Sequence, residues 1–476
     1  MQYFSTSKRV CSSACAVVIA AQLLGINPSF AITDIKQPTT CQNTQLETNS
    51  AKDSDSWWEN LIFKIKNWLT PGFTNFKEIE TGNTSTDKHA SKIISFSDNR
   101  KNNNKTNSII PNFLVLGGGS APFENEIALE KNILYFQRTL HELGHNPVNA
   151  SIFFANGNDG KATVRYLDPQ GIEKFKVPQI PNLKGASTLV NLQNWMQQTA
   201  QQSPAKPIFL YFTGHGLPNK NDFNNNFLTL WNKQLLSVTQ LSQMLDELPD
   251  ETSVTVVMAQ CFSGSFANLI YQGGNPKHPI ALQSRCGFFA TIKSLPSVGC
   301  TPSVNEADYR DYSSSFFAGL SGRNRIGKLV ASADYNKDGK ISYAEAHAFA
   351  KVDNKTIDLP ISTSESWLQE TASSKNVEFI LQQPIAEIIK NARPEQRYVV
   401  NYLVKMFNWN GNESFGDNLD AFTAKQYNTE EEKAYIERLK MELINISMEN
   451  QIRNSQNQQA IMNLNRLIEC ESGFPQ

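Results

Sequence analysis

From Pro111 onward the sequence alternates short apolar runs with segments of helical period, and this restricts the fold more than any other feature. Phe113 to Leu116 is apolar and ends in Gly117-Gly118-Gly119, Ile127 to Leu143 has apolar residues at helical spacing, and Ser151 to Ala155 is strand-like again. The pattern repeats: helical Leu189 to Gln201 precedes a strand at Ile208 to Phe212, helical Leu235 to Leu248 a strand at Val254 to Met258, and a short helical piece at Phe266 to Tyr271 a strand at Phe288 to Ile292. Phe227 to Leu236 reads as a small hairpin. Strands that are apolar on both faces must be covered on both faces. Joining them through helices makes them parallel, with right-handed crossovers. The expected fold is α/β, a mostly parallel sheet flanked by helices, and its reactive groups belong beyond the carboxyl ends of the strands.

Around this domain, taken as residues 111–382, lie three other regions. Residues 1–31 read as an export signal: Lys8 and Arg9 give a positive start, Cys11 to Ile26 is apolar, and Ser29-Phe30-Ala31 is a small-x-small cleavage site. The apolar run is too short to span a bilayer comfortably, so a secreted or periplasmic protein without a stable membrane span is expected. Residues 32–110 are rich in Asn, Thr, Ser, Asp and Lys, and too poor in apolar residues to order themselves. One amphipathic helix interrupts them, with Trp57, Trp58, Leu61, Ile62, Ile65 and Trp68 on one face and Pro71-Gly72 as its stop. Residues 383–476 turn helical, with an apolar stripe along Glu430 to Leu467. Either terminal segment is placed to act as an intramolecular inhibitor. Lys plus Arg number 44 against 45 Asp plus Glu, so no global basic field exists to gather nucleic acid, and none is expected as a partner.

Loss of the signal would leave Cys41, Cys261, Cys286, Cys300 and Cys470, an odd number, so in an oxidising compartment at least one is kept as a thiol or links two chains. Cys286 and Cys300 are close enough in sequence to bridge, and Cys261 is the expected thiol. The strand Ile208 to Phe212 ends in Thr213-Gly214-His215-Gly216, and Val254 to Met258 ends in Ala259-Gln260-Cys261-Phe262-Ser263-Gly264. Neighbouring parallel strands would bring His215 and Cys261 to one sheet edge, a general base beside a thiol nucleophile. The backbone amides of Gly216 and Cys261 are the natural oxyanion donors.

These two blocks resemble the His-Gly and Cys-x-Ser-Gly blocks of the legumain-type cysteine peptidases, within the wider caspase-like clan. The order of the neighbouring segments is similar too: a Gly-ended first strand, Phe288-Phe289-Ala290-Thr291, then Asp308-Tyr309 and Phe316-Phe317. The resemblance covers roughly Phe113 to Leu320. It implies a caspase-like sheet, a His215–Cys261 dyad, and an endopeptidase that cleaves protein or peptide substrates through an acyl-enzyme. A transamidase would use the same acyl-enzyme with an amine as acceptor. Gly214 stands where legumain itself has an acidic residue, so cleavage after Asn is not implied. The non-enzymatic alternative is a calcium-dependent interaction protein on an inactive peptidase fold, and the intact His215 and Cys261 argue against it.

Two metal motifs also occur. His141-Glu142-Leu143-Gly144-His145 has the zinc-peptidase spacing, which needs an unbroken helix through the second His; Gly144 and Pro147 predict that the helix stops first. Asp334 to Glu345 fits a calcium loop, with Asp334, Asn336, Asp338 and Ser342 supplying side-chain oxygens, Lys340 a carbonyl and Glu345 a two-oxygen carboxylate. Structural Ca²⁺ is therefore the expected cofactor.

Overall fold

The computed structural model of the protein describes residues 110–423 and 429–474. The export signal, Cys41 and the Trp57 to Trp68 helix fall outside the described residues. Along the chain run β1 (Asn112–Gly118), α1 (Ile127–Glu142), β2 (Ser151–Phe154), β3 (Val164–Leu167), β4 (Glu173–Lys176), β5 (Leu183–Gly185), α2 (Leu189–Ala200), β6 (Ile208–Gly214) and β7 (Gly216–Leu217). The hairpin β8 (Phe227–Leu230) and β9 (Gln234–Ser237) leads into α3 (Val238–Asp246) and β10 (Val254–Met258). The segment after β10 is a 3₁₀ helix, Ser263–Ile270, and β11 is Arg285–Phe289, three residues earlier than the apolar run suggested. Then come α4 (Tyr312–Ser321), α5 (Tyr343–Asp353), β12 (Ile361–Ser362), α6 (Thr363–Thr371), α7 (Ser374–Leu381), α8 (Ile385–Ile388), α9 (Pro394–Met406), α10 (Phe415–Thr423), α11 (Glu430–Arg453) and α12 (Gln458–Glu471).

The central sheet has the order β12-β11-β10-β6-β1-β2-β5. Every neighbouring pair is parallel except β11 and β12. This is the expected mostly parallel, helix-flanked α/β sheet, followed by a helical C-terminal region. Strand order progresses outward from β1 to β2 and β5, then returns to place β6 on the other side of β1. That reversal between β1 and β6 opens the crevice where such sheets take ligands.

Alternate residues of the strands feed two cores. Leu114, Leu116, Leu210, Phe212, Val256 and Met258 pack with Leu192 and Met196 of α2 and with Leu241 and Leu245 of α3. Phe113, Val115, Phe209, Tyr211 and Val257 pack with Ile133 and Phe136 of α1, Phe316 and Phe317 of α4, and Ala346 and Ala350 of α5. Each such large apolar side chain contributes about 1.5–3 kcal/mol, so two complete cores explain why the sheet holds its strand ends firmly.

The C-terminal helices build a third core, in which Leu439 and Leu443 of α11 meet Leu368 of α6, Ile380 of α7 and Leu403 of α9. Arg438, fully buried, donates to the carbonyls of Lys351, Asn354, Thr356 and Asp358 and so shapes the connection from α5 to β12. Cys286 pairs with Cys470 of α12 and not with Cys300, which corrects the pairing suggested by sequence proximity. The physical reason is strand direction: Cys286 sits at the amino-terminal end of β11, whereas the chain reaches Cys300 only after running to the opposite edge. Among the described residues no helix is long and apolar enough to cross a membrane.

Candidate active site

The register of β6 and β10 pairs Phe212 with Met258. His215 and Cys261 each lie three residues further on, so they emerge at equivalent positions from adjacent strands. Their blocks touch through the backbone: a Cβ on residue 216 would lie 2.1 Å from the carbonyl oxygen of Cys261, a distance only glycine at 216 avoids. After Cys261 the chain turns through Phe262 in the left-handed region, at φ 59°, a conformation a bulky residue adopts at a cost of about 1–2 kcal/mol. Backbone bonds from Phe262 to Leu295 (2.8 Å) and from Gly264 to Thr291 (2.8 Å) hold that turn against the segment following β11.

That segment also covers the thiol. Cys261 Sγ donates to the Ser297 carbonyl at 3.4 Å and accepts from the Ser297 amide at 3.3 Å. Burial pushes the Cys261 thiol up to about 11, with Cys300 adding to the rise and the Ser297 amide and His215 opposing it. Ser297 is itself fixed by Asp358, whose carboxylate accepts from the Ser297 hydroxyl and the Val298 amide, both at 3.0 Å. Burial raises Asp358 to about 7 despite those two bonds.

His215 is held from the other side. Its Nε2 lies 2.8 Å from the Glu124 carbonyl and 3.1 Å from Glu126 Oε2, and both residues come from the connection between β1 and α1. Its Nδ1 faces Cys300 Sγ at 3.7 Å rather than Cys261. Burial opposes a charge on this ring, but the contacts with Cys300 and then Glu126 outweigh it and hold the imidazole well above its usual range. Burial would raise Glu126, but His215 and then Arg165, paired with it at 2.7 Å, hold its carboxyl below the usual value.

His215, Gly216 and Cys261 are thus brought to one sheet edge, while Glu126, Ser297, Cys300 and Asp358 join them without a sequence signal. Glu126 follows a glycine-ended strand and precedes a helix, which marks a loop near the crevice but names no residue in it. Ser297, Cys300 and Asp358 are 36 or more residues from Cys261 and have no fixed spacing to it.

No family model matches the sequence, and no curated protein matches it. Among the solved structures that are similar over part of it are two distant ones. One is a protein from Geobacter sulfurreducens, with a TM-score of 0.32 and 12% identity, covering 53% of this chain and 92% of that one. Another is a secreted C11 cysteine protease from Bacteroides thetaiotaomicron, with a TM-score of 0.23 and 13% identity, covering 58% of this chain and 70% of that one. Both are distant likenesses.

The other motifs lie elsewhere. Helix α1 stops at Glu142, Gly144 adopts φ +82°, and the amides of Gly144 and His145 bond back to His141 and Leu140, a Schellman stop. His145 therefore leaves the helix face and packs on Phe113, while Glu142 pairs with Arg323 at 3.0 Å. The acidic loop before α5 is tied together by its own side chains. Asp334 accepts from the amides of Asp338 and Gly339, Asn336 from that of Asp338, and Asp338 from that of Lys340. Buried Glu345 accepts from Tyr335 and Asn336 with one oxygen and from Ser342 with the other. The donor set is all oxygen, which fits a hard cation. Tyr343, beside the loop, packs on Phe209 at the amino-terminal end of β6, whereas His215 follows its carboxyl end. At ~3.3 Å per residue that separates the loop from His215 by roughly 20 Å.

Proposed function

We propose that the protein is an exported cysteine peptidase, of legumain type within the caspase-like clan, acting on protein or peptide substrates. The observation that carries this reading is the β6–β10 register, with His215 and Cys261 at matching positions and Gly216 backed onto the Cys261 carbonyl. Once Cys300 has moved off His215 Nδ1, which removes the largest of the contacts that keep that ring protonated, Cys261 Sγ attacks the scissile carbonyl carbon, and His215 takes the thiol proton and returns it to the leaving amine. The C–N bond breaks, leaving a thioester to Cys261, which water hydrolyses with His215 again as base. The amides of Gly216 and Cys261 are assigned to the oxyanion. For His215 Nδ1 to reach Cys261, the 297–300 segment has to shift when substrate enters, because Cys300 stands at that nitrogen and Ser297 at the thiol. Asp334, Asn336, Asp338, the Lys340 carbonyl, Ser342 and Glu345 would hold a Ca²⁺ that braces the far edge of the domain.

The test is to incubate the secreted protein with a diverse peptide library, with and without a thiol alkylator, and to sequence the new ends. Alkylator-sensitive cleavage that disappears in Cys261→Ala supports the reading; its persistence in that variant rejects it. The His215–Cys300 contact favours one other reading, in which Cys300 is the attacking thiol. Turnover retained in Cys300→Ala excludes that alternative.

A further inference from the structure

Glu126, His215 and Cys300 form the one set of three among the described His, Cys, Asp and Glu residues whose ligand atoms all lie within 4.8 Å of one another. The carboxylates of the acidic loop before α5 are not gathered in this way. The three residues come from the β1–α1 connection, the end of β6 and the segment after β11, so tertiary structure alone assembles them.

Their geometry suits a borderline-soft metal. The Glu124 carbonyl can only accept, so His215 Nε2 carries a hydrogen and donates to it. In the neutral ring the lone pair is then on Nδ1, 3.7 Å from Cys300 Sγ. A tetrahedral zinc ion, with Zn–N of ~2.0–2.1 Å and Zn–S of ~2.3 Å, holds its nitrogen and sulfur about 3.6 Å apart. The pair is already spaced to clasp one. Glu126 Oε2 at the opposite ring nitrogen takes the place a carboxylate has behind a metal-bound histidine, where it fixes the tautomer and raises ligand basicity. Glu126 is nearly buried, whereas His215 and Cys300 are each partly exposed.

We propose that His215 Nδ1 and Cys300 Sγ bind a divalent cation of zinc type, with Glu126 holding the imidazole from behind and water in the remaining positions. The ion takes the place of the protons on Nδ1 and on the Cys300 thiol, which pass to solvent, so affinity rises with pH. Ca²⁺, which seeks oxygen ligands, does not compete. The functional consequence rests on the reading of His215 as the base. A nitrogen bound to zinc cannot take the Cys261 proton, so zinc is a reversible inhibitor of the site.

The experiment uses the full chain carrying Cys261→Ala. Titration with Co²⁺ alone should produce a thiolate-to-cobalt charge-transfer absorption that Zn²⁺ then displaces. Adding Cys300→Ser should abolish the band and weaken Zn²⁺ binding by more than about tenfold, since even an outer partner of a ligand is worth roughly 10–100-fold. Glu126→Gln should keep the band and weaken binding by about tenfold. His215→Ala should lose the band too, and circular dichroism of each variant checks that the fold persists. A band that survives Cys300→Ser, or that is present in the unmutated chain and absent in Cys261→Ala, overturns the site. A band together with turnover that zinc does not inhibit keeps the site and overturns the reading of His215 as the base.

Discussion

Among the described residues two histidines face a glutamate at 3.1 Å, His215 with Glu126 and His347 with Glu365, and they are driven in opposite directions. His347, on α5, packs on Phe288 of β11 and Tyr312 of α4 and faces Glu365 of α6. Burial and the neighbouring Lys351 hold its pKa below the usual value in spite of Glu365. Its Nε2–H donates to Glu365, so Nδ1 accepts from the Tyr312 hydroxyl at 2.7 Å, and both bonds suit a neutral ring. His215 stands at a strand end with Cys300 on one nitrogen and Glu126 on the other, and it is pushed well above the usual value. The lesson concerns neighbours two bonds away. Lys351 pairs with both Glu365 and Glu442, so little of Glu365's charge is left for His347. At His215 the thiol adds to the carboxylate. A His–Glu pair therefore says little until its other partners are known.

The largest expected effect separates the two rings by function. Cys261→Ala and His215→Ala should each lower kcat/KM on a cleaved peptide by more than about a thousandfold, with the melting temperature little changed. His347→Gln should do the reverse, lowering the melting temperature and sparing kcat/KM. If His347→Gln costs as much turnover as His215→Ala, the contrast fails.

The second tests why His347 stays neutral. Lys351→Met leaves Glu365 and Glu442 buried without their cation, which should cost about 3–5 kcal/mol in a urea titration. Replacing both glutamates by Gln in the same chain should recover part of it. An unchanged midpoint for Lys351→Met would mean that the charge cluster does not set the environment of His347.

A third separates the two edges of the sheet. Millimolar Ca²⁺ should raise the melting temperature by mass action, by about 2.7 kcal/mol of stability when the ion stands at a hundredfold its dissociation constant. Glu345→Gln should remove that gain and leave turnover at low temperature near normal. Complete loss of turnover would mean that the loop acts on the site despite its position.

The smallest effect sharpens the comparison by pH. A raised His215 pKa stabilises the fold below the unfolded value of about 6.5, and this stabilisation is lost as pH rises through the raised folded value. Glu126→Gln removes one of the two groups that raise it, so the histidine titration followed by NMR should move to lower pH and the stabilised window should narrow. A titration that stays in place would assign the whole rise to Cys300.

Much of this is legible in the sequence. Ile208 to Phe212 and Val254 to Met258 are apolar at every other position and beyond, which forces central parallel strands, and residues three past their paired ends must meet at one edge. Gly144 followed by Pro147 stops helix α1 for local reasons, which takes His145 off the helix face. The acidic loop likewise carries its geometry in its own backbone, where each Asp and Asn side chain bonds an amide two to five residues on.

What the sequence determined by itself is whatever local periodicity and spacing fix: the α/β layering, the strand ends bearing His215 and Cys261, and the loop at 334–345. Only the tertiary structure decided which side chains surround those ends. Cys300 reaches His215 because the segment after β11 folds back over the Cys261 turn. Ser297 is held there by Asp358, whose own connection is shaped by Arg438 from α11. Cys286 finds Cys470 because α12 docks on β11. Each is a contact between segments far apart in the chain, set by which surfaces pack together, and local periodicity holds no information about such a meeting.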